Sequence, residues 1–192
     1  MNTLNGLPMH IILVHAVVVL LPLSALLLVL TTVSPAARRR FAGANALLAL
    51  SVVVIVPLTT GAGEWLQDHV ASTDLIREHA DIGGTAIIAA LAVALLAIVV
   101  WWREREAASI TVADPTPGES QDPAPVGTTT LTKPTVVRRT WLRPASRTVT
   151  RWIAVVAVLV AGAAVYDMYK IGDSGAKASW DGKVSSAPYI AG

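Results

Sequence analysis

The stretch that decides the fold is MHIILVHAVVVLLPLSALLLVLTTV, residues 9–33. It contains no Asp, Glu, Lys or Arg, and it exceeds the roughly 20 apolar residues that a helix needs to cross a bilayer core of about 30 Å. Residues 41–60, 82–102 and 152–169 have the same character, and only Asp167 interrupts the last of them. A helix satisfies its own backbone in lipid, whereas four strands cannot close a barrel. The sequence therefore predicts an all-α polytopic membrane protein, a bundle of four transmembrane helices.

The composition excludes most soluble protein classes. Of the 192 residues, 54% are hydrophobic and only 15% are charged, whereas soluble domains carry about 25% charged residues. A soluble globular enzyme is therefore not expected. The absence of cysteine excludes disulfides, thiolate metal sites, cysteine-bound iron–sulfur clusters and thioether-linked haem. Any metal site must use His, Asp, Glu or Met.

The distribution of charge predicts the orientation. The connections 34–40 and 103–151 hold 11 of the 15 basic residues, whereas the connection 61–81 has Arg77 against five acidic residues. Because basic connections stay on the cytoplasmic side, we expect a multi-pass protein of the cell membrane. Both termini then lie outside.

The connections differ in character. Residues 1–102 form the first three predicted helices, with a short ordered outer lid at 61–81. Residues 103–151 contain six prolines and no sustained hydrophobic period, which predicts a disordered cytoplasmic linker. Its basic residues lack the interleaved aromatic residues of a nucleic-acid interface, so they are expected to lie on anionic lipid. Residues 152–192 hold the fourth helix and an outer tail, for which we expect no structure beyond turns from Lys170 onwards.

The lid has the pattern of a capped helix. Ser72 or Thr73 can cap a helix that begins at Asp74, since short hydroxyl side chains accept from the first free N–H groups. We expect this helix to run through His79 directly into the third span.

All four histidines fall toward the outer side of this topology: His10, His15, His69 and His79. An imidazole in or near a span is a functional-site hypothesis, and it ligates haem iron, copper and zinc. His10 and His15 lie about 140° apart around a helix, so they cannot point at one small ion. The sequence predicts instead that His15 and His79 approach each other, with His10 as an alternative ligand and His69 apart.

Three functions remain open on this evidence. The histidines could hold a b-type haem through His15, His79 and His10, or bind copper or zinc through the same residues, with His69 as a further candidate. They could also serve only in packing, in an accessory or scaffold subunit. No nucleophile elbow, phosphate loop, HExxH or EF-hand pattern occurs, so we expect no independent catalytic activity.

Four segments carry a family resemblance: GLPMHIILVHAVVVLLPLSALLL (6–28), PLTTGAGEWLQDHV (57–70), LIREHADIGG (75–84) and YKIGDSGAKASW (169–180). They resemble the domain of unknown function 2231 family, small four-helix membrane proteins common in actinobacteria. The resemblance covers residues 5–102 and 152–180 and implies a respiratory or redox membrane partner.

The resemblance also bears on single residues. It places His10, His15 and His79 at the family's His positions. It puts Asp173 where many relatives carry His, which removes one potential ligand. The expected function is an integral membrane accessory or scaffold subunit of a respiratory or redox system, with haem b or a metal ion as the alternatives.

Overall fold

The computed structural model describes residues 3–113 and 146–182 of the chain. Its helices are α1 (Met9–Val33), α2 (Pro35–Gln67), α3 (Asp74–Gly83), α4 (Ala86–Ala113) and α5 (Arg147–Trp180). Four segments are long and apolar enough to cross a membrane: α1, α2, α5 and Asp74–Ser109, which combines α3 with most of α4. The predicted all-α architecture with four apolar spanning helices is confirmed.

The four long helices form a ring. α1 packs on α2, α2 on α4, and α4 on α5, while α5 closes the ring on α1. Each neighbour runs antiparallel to the next, as in up-and-down bundles. α3 lies at one end and packs mainly on α5. Because the number of spans is even, Thr3 and Asp181 lie at the same end of the bundle.

Small side chains fill the interior of the ring. Eleven of the described alanines are at most 7% exposed: Ala25, Ala42, Ala46, Ala49, Ala86, Ala90, Ala94, Ala97, Ala157, Ala161 and Ala164. Helices in lipid associate through close backbone approach, which small residues permit. Leu26, Leu47, Leu95 and Leu159 are more than 60% exposed. A surface covered by such side chains fits a bilayer environment.

One polar pair is buried inside this apolar interior. The Ser24 hydroxyl on α1 donates to Asn45 Oδ1 on α2 at 3.0 Å, and both residues are at most 1% exposed. A hydrogen bond between spanning helices stabilises one particular pairing. The bond therefore fixes the register of α1 against α2.

Charged residues gather at the end of the bundle opposite Thr3, which we call the arginine end. Arg38 Nε lies 3.0 Å from Glu104 Oε2 and joins α2 to α4. Arg103 donates from Nη2 to Thr150 Oγ1 at 2.9 Å and joins α4 to α5. These contacts tie the helices at a level where exposed Trp102 also lies.

The tail prediction is wrong as far as Trp180. We expected no structure beyond turns after Lys170, but α5 continues without interruption to Trp180. This extension packs against α3 through Ser174 and Gly175, which contact His79, and its glycines are helical. An ion pair one turn apart, Lys177 to Asp173 at 2.7 Å, supports the same stretch.

Helices extend into both ends of the segment 103–151. α4 continues to Ala113, and α5 begins at Arg147 with Ser146 accepting a hydrogen bond from Val149 N at 3.4 Å. Both ends of the predicted disordered linker 103–151 are therefore helical. Residues 114–145, which carry the rest of that prediction, lie outside the described residues.

The predicted helix of the lid is confirmed, but the predicted start of the lid at residue 61 is wrong. Thr73 caps α3 by accepting from Ile76 N at 3.3 Å, and α3 begins at Asp74 as predicted. The stretch from 61 to Gln67 is the last part of α2, so the connection begins only at Asp68. Packing against neighbouring helices outweighs the low helix propensity of the glycines in this stretch.

The passage into the third span follows the expectation, because Asp74–Ser109 forms one helical segment that could cross a membrane. α3 ends at Gly83 and α4 begins at Ala86, with only Gly84 and Thr85 between them. The N–H of Gly84 bonds to Ala80 O at 3.2 Å and the N–H of Thr85 to Ile82 O at 3.0 Å. The chain therefore stays helical through this short turn.

A minimal hairpin precedes α1. β1 (Thr3–Leu4) pairs with β2 (Leu7–Pro8) in antiparallel register. Asn5 and Gly6 at the turn have φ of 51° and 80°, as a type I′ turn requires. The Asn-Gly dipeptide carries this signal in the sequence. The hairpin leads directly into α1, so that His10 lies in its first turn.

Candidate functional site at the histidine end

Two imidazoles lie beside each other at the end of the bundle that holds Thr3. His10 belongs to α1 and His79 to α3. Their ring centroids are 6.4 Å apart and their planes cross at 78°. Both side chains are partly buried. We call these two residues the imidazole pair, and this end of the bundle the histidine end.

A backbone carbonyl of α2 holds the first ring. His10 Nδ1 lies 2.9 Å from Thr59 O. A carbonyl oxygen only accepts hydrogen bonds, so we assign the hydrogen of His10 to Nδ1. The other ring nitrogen, Nε2, then carries a lone pair.

A hydroxyl on α5 holds the second ring in the same tautomer. Ser174 Oγ lies 3.0 Å from Ile171 O and 3.0 Å from His79 Nδ1. The single hydroxyl hydrogen goes to the carbonyl, which can only accept, so His79 Nδ1 must donate to Ser174 Oγ. His79 Nε2 then also carries a lone pair.

Each imidazole lies directly against a glycine. A Cβ atom on Gly63 would stand 2.9 Å from His10 Cε1 and Nδ1, and one on Gly175 would stand 3.0 Å from His79 Cε1. A Cβ atom on Gly63 would force the His10 ring to shift, and one on Gly175 would require the His79 ring to give by a few tenths of an ångström. Glycine at both positions therefore lets the rings lie where they do.

The two supporting helices use the same local arrangement. Thr59 and Gly63 are one turn apart on α2, and Ile171 and Gly175 are one turn apart on α5. In each case one turn offers a carbonyl oxygen that anchors the ring, directly or through a hydroxyl. The next turn offers a bare backbone on which the ring lies.

His15 does not join this pair. It is exposed, and its Nδ1 lies 2.6 Å from Ile11 O of its own helix. The structure places His10, and not His15, against His79. The reason is the turn of about 140° between the two positions on α1, which directs His15 out of the bundle when His10 faces α3.

His69 also lies apart from the pair, in the connection after α2. Its ring stacks on Trp65 at 4.1 Å with an angle of 29° between the planes. Its Nδ1 lies 2.7 Å from Trp65 O, and the residue is exposed.

The sequence singled out Asp173 but missed its neighbours. Asp173 pairs with Lys177, whereas Ser174 and Gly175 contact His79. In the sequence this stretch carries only the family resemblance, and its glycines predict turns. No sequence signal says which helix faces an imidazole, so these partners become visible only in the packed bundle.

The chemistry available here is that of two nitrogen ligands. Histidine ligands of metals commonly donate their other N–H to a carbonyl or similar group, which fixes the ring and its tautomer. Both members of the imidazole pair have this arrangement. No group of three or more His, Cys, Asp or Glu placed to hold a metal ion occurs within residues 3–113 and 146–182.

No family model, curated protein or solved structure matches this chain. The resemblance to the domain of unknown function 2231 family stays a prediction.

Proposed function

We propose that this protein is a membrane-bound accessory subunit that binds one copper or zinc ion between His10 and His79. The observation that carries the proposal is the shared tautomer of the pair, in which both Nδ1 atoms are occupied as donors. Both Nε2 lone pairs are then available, and neutral imidazole is a good ligand for copper and zinc.

The separation of the rings supports the same proposal. Two imidazole nitrogens that bind one metal ion at about 2.0–2.1 Å place their ring centroids roughly 5 to 6.5 Å apart, depending on the angle at the metal. The observed 6.4 Å lies at the upper end of this range.

Two protein ligands leave part of the coordination sphere open. Water, a small anion or a group from a partner protein would complete it, as at metal sites that keep an exchangeable position. Such a site suits the receipt or transfer of an ion better than its permanent storage. We further propose that the subunit serves a respiratory or redox system, and this part of the proposal rests on the family resemblance alone.

A b-type haem is the alternative function. Its predicted ligands are His15 and His79, with His10 as the alternative. His15 bonds to Ile11 O of its own helix, whereas His10 lies against His79. Two cavities in the described part of the chain have volumes of about 20 and 50 Å³, and neither is lined by His10 or His79. Small-molecule sites commonly measure about 300–1,000 Å³, so neither cavity would accommodate a porphyrin.

Metal titration of the full-length protein in lipid nanodiscs tests the proposal. Zn²⁺, and Cu⁺ under reducing conditions, are added and followed by calorimetry and elemental analysis. We expect one ion per chain, and loss of binding in His10→Ala and His79→Ala. His15→Ala and His69→Ala are the matched controls and should bind as the wild type does. Equal binding by all four variants would contradict the proposal.

The haem alternative has its own measurement. Protein expressed with added haem is purified and its absorption spectrum taken in the oxidised and reduced forms. A Soret band that disappears in His79→Ala would favour haem over a single ion. A colourless protein that binds zinc at unit stoichiometry would reject haem.

A further inference from the structure

The two ends of the bundle differ in charge. Among the described residues, the arginine end carries seven arginines and two glutamates, whereas three basic and eight acidic residues lie toward the histidine end. Five of the seven arginines are exposed, and we call them the arginine belt: Arg39, Arg40, Arg105, Arg147 and Arg151. The belt is the largest concentration of exposed positive charge in the described part of the chain.

The belt lies at one level of the bundle although its members come from three helices. Arg38 of α2 bonds to Glu104 of α4 at 3.0 Å, and Arg103 of α4 bonds to Thr150 of α5 at 2.9 Å. These two contacts bring the three helices to the same height. Every belt arginine is within three residues of a member of these contacts, which is less than about 5 Å along a helix axis.

The two acidic residues at this end are engaged by other groups. Glu104 Oε2 accepts from Arg38 Nε, and Glu106 Oε1 accepts from Trp102 Nε1 at 3.3 Å. Within residues 3–113 and 146–182, no belt arginine forms an ion pair. Two of the three basic residues toward the histidine end, by contrast, are ion-paired. The belt therefore presents positive charge that the described chain does not balance.

Aromatic side chains place the belt at the edge of the membrane. Phe41 follows Arg40 and Trp152 follows Arg151, and both aromatic side chains are exposed. The Arg40 guanidinium carbon lies 5.5 Å from the centre of the Phe41 ring. Tryptophan prefers the membrane–water boundary, and an arginine there covers apolar surface with its stem and keeps its charge on the water side. The guanidinium groups thus lie at the level of the lipid phosphates.

Two helix ends add to the positive charge at this level. α2 and α5 both begin at the arginine end, and neither has an acidic residue in its first turn. The N-terminus of a helix carries a partial positive charge, which a nearby anion stabilises and a nearby cation opposes. Anions bound by the belt would offset both the arginines and these helix ends.

We propose that the arginine belt binds the phosphate groups of anionic phospholipids, which stay attached to the bundle. A guanidinium matches a phosphate in charge and can bind it through two parallel N–H donors. A zwitterionic phospholipid brings its own cation, whereas an anionic one leaves a net negative charge for the belt. Because the belt includes Arg39 and Arg40 of α2, it is a joint site of three helices and more than the lipid contact expected for the segment 103–151. The site does not depend on the metal proposal at the other end.

Native mass spectrometry of the full-length protein in detergent counts the attached lipids. Phosphatidylglycerol and phosphatidylcholine with the same acyl chains are added at equal concentration. We expect phosphatidylglycerol to be retained preferentially. Its affinity should fall roughly tenfold or more in Arg39→Gln/Arg40→Gln and in Arg147→Gln/Arg151→Gln, because one arginine near anionic lipid contributes about fivefold. Equal retention of the two lipids by the wild type would overturn the proposal.

A matched double substitution removes two positive charges from the other end of the bundle. Arg77→Gln/Lys170→Gln should retain phosphatidylglycerol as the wild type does. Arg39→Lys/Arg40→Lys keeps the charge and should bind more lipid than Arg39→Gln/Arg40→Gln, which separates loss of charge from a local change in packing. Equal losses in the control at the histidine end and in the belt variants would overturn the proposal.

Two further probes identify what the belt binds. Inorganic phosphate should displace phosphatidylglycerol no more than chloride at the same ionic strength does, because the acyl chains hold the lipid on the apolar surface. Stronger displacement by phosphate would indicate a site for the free anion and contradict the lipid assignment. A single-stranded RNA oligonucleotide should not bind the protein in nanodiscs that contain phosphatidylglycerol. RNA binding that is lost in the belt variants would also contradict it.

Discussion

At the residue scale, the imidazole pair depends on two positions without a side chain. Gly63→Ala places a Cβ atom 2.9 Å from the His10 ring, so the ring must shift and we expect its contact with the Thr59 carbonyl to weaken. We expect zinc affinity to fall at least tenfold and stability to fall by about 1–3 kcal/mol, as for overpacked sites. Calorimetry and thermal unfolding in nanodiscs measure the two effects.

The control for this change lies two residues away on the same helix. Gly61 has nothing within 4 Å of its added Cβ atom, so Gly61→Ala should keep zinc binding and stability. On α5, Gly175→Ala and Gly172→Ala form the corresponding pair, since Gly172 also has open space. If Gly61→Ala weakened zinc binding as much as Gly63→Ala, the close-packing explanation would fail.

The buried pair between α1 and α2 gives a second residue-scale prediction. Asn45→Ala removes the acceptor for Ser24 deep in the bundle, and we expect about 1 kcal/mol of lost stability. Ser51→Ala is the control, because Ser51 is exposed and bonds only to Leu47 O of its own helix. Unfolding in mixed detergent compares the two variants. Equal midpoints would show that the pair does not stabilise the fold.

The sequence could identify the ligands at this scale but not their partners. An imidazole near a span is conspicuous in an apolar chain, so His10 and His79 were candidates from the start. Thr59, Gly63 and Gly175 are common residues of spanning helices. Their role depends on which helix faces which, and only packing decides that.

At the scale of elements, the short helix α3 carries His79 and depends on its cap. Thr73→Ala removes the side chain that accepts from Ile76 N. We expect about 1 kcal/mol of lost local stability, and faster amide exchange throughout Asp74–Gly83. Hydrogen exchange with mass spectrometry measures this protection.

Substitution of the neighbouring Ser72 is the control that distinguishes loss of the helix cap from a general effect of losing a hydroxyl. Ser72 bonds to Arg77 Nη1 at 3.2 Å on the exposed surface, so Ser72→Ala should leave α3 exchange nearly unchanged. Faster exchange in Ser72→Ala than in Thr73→Ala would mean that Thr73 is not the effective cap.

Element boundaries show where sequence reasoning stops. The Thr73 cap was predictable because its signal is local. The end of α5 was not, because glycines and polar residues normally end a helix, whereas Ser174 and Gly175 stay helical and contact His79 of α3. The short turn at Gly84 and Thr85 was not predicted, since the apolar pattern continues past it.

At the scale of the whole molecule, long uncharged segments were enough to predict the fold. Four such segments allow few other structures in lipid. The charge distribution adds a prediction of orientation. A periplasmic reporter fused after Trp180 should be active, and one inserted near Gly118 should be silent, because 11 of 15 basic residues lie in the two connections expected inside. The reverse pattern of activity would place both ends of the chain in the cytoplasm.

The position of the imidazole pair sets an order of events during synthesis. His10 leaves the ribosome before Ser174 and Gly175, which seat His79 and belong to α5. A nascent chain that still lacks α5 has both histidines but not the contacts that hold the His79 ring. If the imidazole pair binds an ion as proposed, we therefore expect the ion to enter only after α5 has been inserted.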